Sequence, residues 1–213
     1  MVDLYAGQLM PDAQVKIFGQ TERAFATRTV RSGTNVRRLG SEAAPGLPEF
    51  PIAANETQYD LYDYMSRNRV AGLLVMSGDT LIHEQYELGI TAATRWLSMS
   101  MAKSVSTTLV GAAIQDGYIT SVADPLTRYL PELAGSAYDG VSVRELMLMT
   151  SGVRWDDTHT NPASERRHML NLQISQQAGA IMRYMASLPR AHAPGAFWNY
   201  STGETHVEHF PAP

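Results

Sequence analysis

Ser100 and Lys103 stand three residues apart in the run Trp96-Leu97-Ser98-Met99-Ser100-Met101-Ala102-Lys103-Ser104, and together they can do chemistry that neither does alone. A serine hydroxyl is a poor nucleophile at neutral pH and needs a neighbouring base. A partly desolvated lysine whose amine is neutral can be that base. If Ser100 opens a helix, Lys103 lies one turn along the same face, within reach of the hydroxyl. The chain holds sixteen serines and two lysines, Lys16 and Lys103, so about 0.15 such spacings would arise by chance. A helix-capping serine followed by a solvated lysine is the plainer alternative. The surroundings have to separate the two.

Those surroundings are apolar and helical. Met101, Val105, Leu109 and Ala113 recur at four-residue spacing with Ala102, Val110 and Ile114 beside them, which predicts a mostly buried helix stopped at Asp116-Gly117. Burial and the positive end of the helix dipole both favour a neutral Lys103, the state a general base requires. A second polar cluster follows in Pro194-Gly195-Ala196-Phe197-Trp198-Asn199-Tyr200-Ser201-Thr202-Gly203. A tyrosine delivered from such a turn can share a proton with a lysine and pass it to a leaving group. The alternative is a buried aromatic whose hydroxyl is merely satisfied.

The elements that must position these residues can be read along the chain. Residues 1 to 57 are rich in Gly, Pro and Arg without a sustained period, which predicts an extended N-terminal arm, with Ala43-Ala44-Pro45-Gly46-Leu47-Pro48 as a loop. Leu61, Tyr64 and Met65 predict a short helix over 58–68, and the runs 71–76 and 80–86 about Ser77-Gly78-Asp79 predict a β-hairpin. His83 falls in the second strand and reads as a surface residue. Asp124-Pro125-Leu126 and Leu130-Pro131-Glu132-Leu133 read as short helical or turn pieces broken by proline. Ser142 and Glu145 have the spacing of a capping box for a helix ending at Thr150-Ser151-Gly152. A second helix is expected over about 173–187, with Met147, Met149, Met169, Met182 and Met185 as core fillers. Arg166-Arg167 reads as a solvated helix face. Trp155, Asp156 and Asp157 read either as surface loop or as lining of a cleft.

Composition limits the function classes. With 44% hydrophobic and 18% charged residues, the chain of 213 residues has ordinary globular composition. A net charge of −4 with no basic run argues against nucleic acid or an anionic membrane as partner. Without cysteine there is no disulfide, thiolate nucleophile or cysteine metal site. No basic segment followed by an apolar run opens the chain and no stretch approaches a membrane span, so a cytoplasmic protein is expected. His206 and His209 are three apart, but a frayed tail explains them better than metal ligation. No cofactor or metal is implied.

Taken together, Ser100-Met101-Ala102-Lys103, the run Leu146-Met147-Leu148-Met149-Thr150-Ser151-Gly152, and Pro194-Gly195 before Tyr200-Ser201 resemble the serine β-lactamase and penicillin-binding superfamily. The nearest branches are the class C-like esterases and the 6-aminohexanoate-dimer hydrolases, which the segment from Asp124 to Gly140 resembles in particular. The resemblance implies an α+β fold of the β-lactamase/transpeptidase-like kind, an antiparallel sheet with a helical domain, over residues 58–213. It implies Ser100 as acylated nucleophile, Lys103 as its base and Tyr200 as the group that protonates the leaving atom. The Ser100 N–H would form half of the oxyanion hole. The expected substrate is a small carboxylic ester or short linear amide. Two departures are visible: Thr202 stands where the family's tyrosine motif often has asparagine, and Met149 where many relatives have histidine.

Relatives continue past the tyrosine motif to a Lys-Thr-Gly-like segment that supplies the second oxyanion donor. Here Glu208-His209-Phe210-Pro211-Ala212-Pro213 cannot carry a helix onward. The expectation is a domain incomplete at its C-terminus, truncated before the third motif, with the hairpin as its sheet. The alternative to a working hydrolase is then an inactive fragment, or a penicillin-binding-like module that binds acyl compounds without turnover.

Overall fold

A computed structural model describes residues 2–23, 25–37, 39–40, 47, 52–54 and 57–208. In chain order the regular elements are helices α1 (Val2–Tyr5) and α2 (Pro11–Phe18), strands β1 (Ile52–Ala54) and β2 (Thr57–Tyr59), and helix α3 (Leu61–Arg67). Strands β3 (Gly72–Ser77) and β4 (Thr80–Tyr86) come next, then helices α4 (Met101–Gln115), α5 (Val143–Met147), α6 (Glu165–Ser175), α7 (Ala180–Ser187) and α8 (Thr202–Val207). Single 3-10 turns cover Thr21–Arg23, Leu126–Arg128 and Pro131–Leu133. Helices with small antiparallel sheets make the chain α+β. It divides into two compact units, one from Leu9–Leu97 and the other from Val2–Gln8 with Ser98–Pro213. The arm expected over residues 1 to 57 is helical at α1 and α2. The Ala43 to Pro48 loop, apart from Leu47, lies outside the described residues.

In the first unit, β3 and β4 pair antiparallel from Gly72 opposite Tyr86 to Ser77 opposite Thr80, with a register shift between Val75 and Met76. Gly78 takes φ +56 in the two-residue turn, a left-handed conformation that costs glycine little. Gly40 continues this edge: its N–H donates to Asp79 O, and Leu81 N–H donates to Gly40 O. Helix α3 begins at Asp60, whose side chain accepts from Asp63 N–H while Asp63 caps Asp60 N–H in return. Among the described residues of this unit Met65 is the one buried large apolar side chain, and Leu74 and Met76 of β3 are exposed. His83 is half-buried, its Nε2 3.2 Å from Gln85 Oε1.

The second unit carries the core. Leu126, Leu130, Leu133, Tyr138, Val141, Val143, Leu146, Met169, Met185 and Val207 are fully buried together. Each large apolar side chain of this kind contributes on the order of 1.5–3 kcal/mol through burial. Proline explains the broken helices along 124–133, and Pro125 and Ser142 form an isolated antiparallel bridge. Ser142 and Glu145 make the expected capping box of α5, which ends at Leu148 with Met149 at φ +56.

Three expectations change here. The helix expected over 173–187 is two helices, α6 and α7, because Gln176 and Gly179 both adopt left-handed backbone between them. Arg166 is not solvated: it is 5% exposed, donates to Tyr5 Oη, and its guanidinium lies 4.4 Å from the Tyr5 ring centroid. Helix α4 is also less buried than its period predicts. Met101, Val105 and Leu109 are 67%, 62% and 64% exposed, whereas Val110 is buried and Ala113 and Ile114 pack on the core. The inward stripe of α4 therefore runs from Lys103 through Thr107 and Val110 to Ile114, on roughly the opposite side of the helix from Met101, Val105 and Leu109.

Candidate active site

Ser100 stands at the N-cap position of α4 without a side-chain capping hydrogen bond, and Lys103 lies in its first turn. The chain enters through Met99 at φ +48, an uncommon conformation for a side chain with a Cβ. Tight turns follow, with Met101 N–H donating to Ser98 O and Lys103 N–H to Ser100 O, both at 3.1 Å. These turns bring Lys103 Nζ to 3.1 Å from Ser100 Oγ, the amine donating to the hydroxyl oxygen. Tyr200 comes from the other end of the unit, and its ring centroid is 5.0 Å from the same Nζ. The three residues singled out in the sequence thus meet about one amine. Lys103 is half-buried rather than enclosed, so the burial invoked for it in the sequence is partial.

The tyrosine is placed by the turn at residues 149–152. Gly195 N–H donates to Thr150 O at 2.8 Å, and Asn199 N–H to Met149 O at 3.0 Å. Gly152 O accepts from the N–H groups of both Ala191 and His192. Gly152 itself has φ +78, and a Cβ there would lie 2.1 Å from His192 O. Gly152→Ala is therefore expected to destabilise the unit by about 2–4 kcal/mol, read as a lower midpoint in urea denaturation.

Asp157 holds the opposite side. Its Oδ1 accepts from Trp155 Nε1 at 2.7 Å and from Thr202 N–H at 3.0 Å, and its Oδ2 accepts from Thr202 Oγ1 at 3.2 Å. Asn199 Nδ2 donates to Trp155 O at 2.8 Å. The segment is loop, as one of the two readings has it, but it does not lie wholly at the surface: Trp155 is buried, and Asp157 accepts from the first N–H of α8. Thr202, which departs from the family's asparagine, finds its partner in this carboxylate.

Glu204 in α8 and Glu208 at its C-terminal cap place two carboxyls beside the site. Ser151 Oγ donates to Glu204, and Glu204 is buried beneath the tyrosine turn. Burial pushes the Glu204 carboxyl up to about 8, the Ser151 hydrogen bond offsetting part of the rise and Glu208 adding to it. Burial also pushes Glu208 up to about 7, against an opposing pull from Lys103. Tyr138, buried with Glu204 nearby, is raised well above its ordinary value. The spacing Ser201-Thr202-Gly203-Glu204 was the available signal, but it reads as a local cap and not as a tertiary bond.

Among the described residues no group of three or more His, Asp or Glu is placed to hold a metal ion. His206 Nε2 lies 3.1 Å from Gln173 Nε2, while His209 lies outside the described residues. No helix among them is long and apolar enough to cross a membrane.

The family model described as Beta-lactamase matches residues 62–206, a span that contains Ser100, Lys103 and Tyr200. The chain belongs to the Beta-lactamase family. The 6-aminohexanoate-dimer hydrolase of Paenarthrobacter ureafaciens is 37% identical over 124 residues, covering 58% of this chain and 31% of that protein. A solved structure from Bacillus anthracis, provisionally named 6-aminohexanoate-dimer hydrolase, superposes with a TM-score of 0.79 at 16% identity. It covers 93% of this chain and 54% of its own. A structure from Bacteroides dorei DSM 17855, provisionally named β-lactamase, gives 0.55 at 21% identity over 70% of this chain and 42% of its own. These two show the β-lactamase/transpeptidase-like fold. The chain thus spans about a third of the curated relative and about half of the solved chains.

Proposed function

We propose that the chain is a serine hydrolase that forms an acyl-enzyme on Ser100 and acts on a small carboxylic ester or short linear amide. The observation that carries this reading is the 3.1 Å contact of Lys103 Nζ with Ser100 Oγ, with the Tyr200 ring against the same amine. In this reaction Ser100 Oγ bonds to the substrate carbonyl carbon as its proton passes to the Lys103 amine. The carbonyl electrons move onto oxygen, facing the Ser100 N–H. Collapse expels the alcohol or amine, which takes the proton through Lys103 and Tyr200. Water then attacks the acyl carbon of the ester on Ser100 and gives a proton to the pair; the bond from that carbon to Oγ breaks, the pair protonates Ser100 Oγ, and the acid is released.

The relative's name supports a linear amide among the substrates. Thr202 in place of the asparagine of the tyrosine motif supports ester or amide over β-lactam. A panel of p-nitrophenyl butyrate, 6-aminohexanoate dimer and nitrocefin tests this choice. Turnover of the ester or the dimer, with nitrocefin at least about 10-fold slower in kcat/KM, is expected. Nitrocefin as best substrate would contradict it, and adduct formation without release would favour a module that binds acyl groups.

A further inference from the structure

Both neighbours of Tyr200 rest on Met149: Asn199 N–H donates to Met149 O, and Ser201 N–H lies 3.3 Å from Met149 Sδ. Ser201 Oγ then accepts from Glu204 N–H at 3.1 Å. The Glu204 side chain does not turn back to close a local cap. It accepts from Ser151 Oγ, which itself accepts from Val153 N–H at 3.0 Å. Ser151 and Glu204 are 1% and 3% exposed and 53 residues apart in sequence. Burying a carboxyl is costly, and a cap at the helix end would have served α8 with less burial. What the buried bond adds is closure: it ties the first turn of α8 to the Thr150–Gly152 turn on which the tyrosine segment is already hung.

We infer that Glu204 is a positioning residue that fixes Tyr200 beside Lys103 by latching α8 to the turn at Ser151, an inference that rests on the role proposed above for Tyr200. Space around α8 leaves the tyrosine segment little slack elsewhere. A Cβ on Gly203 would lie 2.5 Å from the Met185 side chain and 2.7 Å from the Trp155 ring. The groups that act on Glu204 are few. Ser151 bonds it, while Glu208 and Tyr138 interact with it electrostatically. From α4, Lys103 acts on Glu208. On α6, Arg166 is engaged with Tyr5, and on α7, Arg183 donates to Ala178 O. At neutral pH the carboxyl is held largely as the neutral acid, so an amide is a faithful replacement.

The test uses the chain labelled with 3-fluorotyrosine, its Tyr200 resonance assigned by loss of that signal in Tyr200→Phe. Glu204→Ala and Ser151→Ala should each shift or broaden the Tyr200 signal and slow acylation of Ser100 by a fluorophosphonate about 10- to 100-fold. Glu204→Gln, which can still accept from Ser151, should restore the wild-type signal and bring the rate within about 3-fold. An unchanged Tyr200 signal in Ser151→Ala and Glu204→Ala samples with wild-type circular dichroism would overturn the inference, as would failure of Glu204→Gln to restore it. If Glu204→Ala does not fold, Ser151→Ala carries the comparison. If the wild-type chain itself is not acylated, the proposed function falls, and the fluorine signal still decides whether Glu204 positions Tyr200.

Discussion

Replacing Ser100 by alanine is expected to abolish acyl transfer, and replacing Lys103 by methionine to slow it by about 100- to 10,000-fold, the range a positioned general base supplies. Methionine keeps the length and most of the volume of lysine. Lys103 is half-buried on a helix whose neighbouring residues are exposed, so the fold should tolerate the change. Only the amine at 3.1 Å from Ser100 Oγ is removed. Lys103→Arg should not restore activity, because a guanidinium keeps its proton throughout the ordinary pH range. Steady-state hydrolysis of p-nitrophenyl butyrate, with circular dichroism to confirm folding, separates these outcomes. Loss of activity with loss of helix signal would be a folding effect. Loss with the signal intact assigns the role to the amine.

The second large effect is on stability. Glu204 has its carboxyl pushed up to about 8 in the folded chain, whereas in the unfolded chain it returns to its ordinary value near 4.5. The folded state therefore keeps a proton that the unfolded state has already released. Its contribution to stability is fully present below about pH 4.5 and is lost as pH rises through about 8. Over that window the unfolding free energy should fall by on the order of 4 kcal/mol. Glu208 acts in the same direction up to about pH 7. Asp156, held below its ordinary value by its Thr158 hydrogen bonds, works the other way, but only as pH falls below its ordinary range. Urea denaturation at pH 5, 7 and 9 should show the steepest loss between the first two, and Glu204→Gln should flatten it, leaving the Glu208 share. A wild-type stability that rises from pH 5 to pH 9 would contradict the buried neutral carboxyl.

What could be read from the sequence was governed by local physics. The turn Gly78-Asp79 sets the hairpin, Ser142 and Glu145 set α5, and Asp116-Gly117 ends α4, all through contacts within a few residues. Ser100 and Lys103 belong to this class, since a helix brings residues three apart together wherever it sits. Tyr200 joins them only through the Ser100 and Lys103 spacing upstream and the family resemblance, because a tyrosine after a proline-glycine turn reads on its own as a buried aromatic. The rest depended on partners far along the chain. Arg166 is buried because Tyr5, 161 residues away, receives it, and no property of Arg166-Arg167 announces that. Asp157 meets Thr202 across 45 residues, and Ser151 meets Glu204 across 53. The exposed stripe of α4 shows the opposite error. Met101, Val105 and Leu109 have a helical period, but in the described residues the core lies on the side of Val110 and Ile114. Periodicity identifies a helix and its stripe without saying what covers that stripe.

The central claim is that Ser100 becomes covalently acylated, and intact-mass measurement after incubation with a fluorophosphonate tests it most directly. The prediction is one adduct per folded chain, located at Ser100 by peptide mapping, absent in Ser100→Ala and slow to form in Lys103→Met. A folded sample that forms no adduct, or one that carries it with Ser100 replaced, would contradict the account.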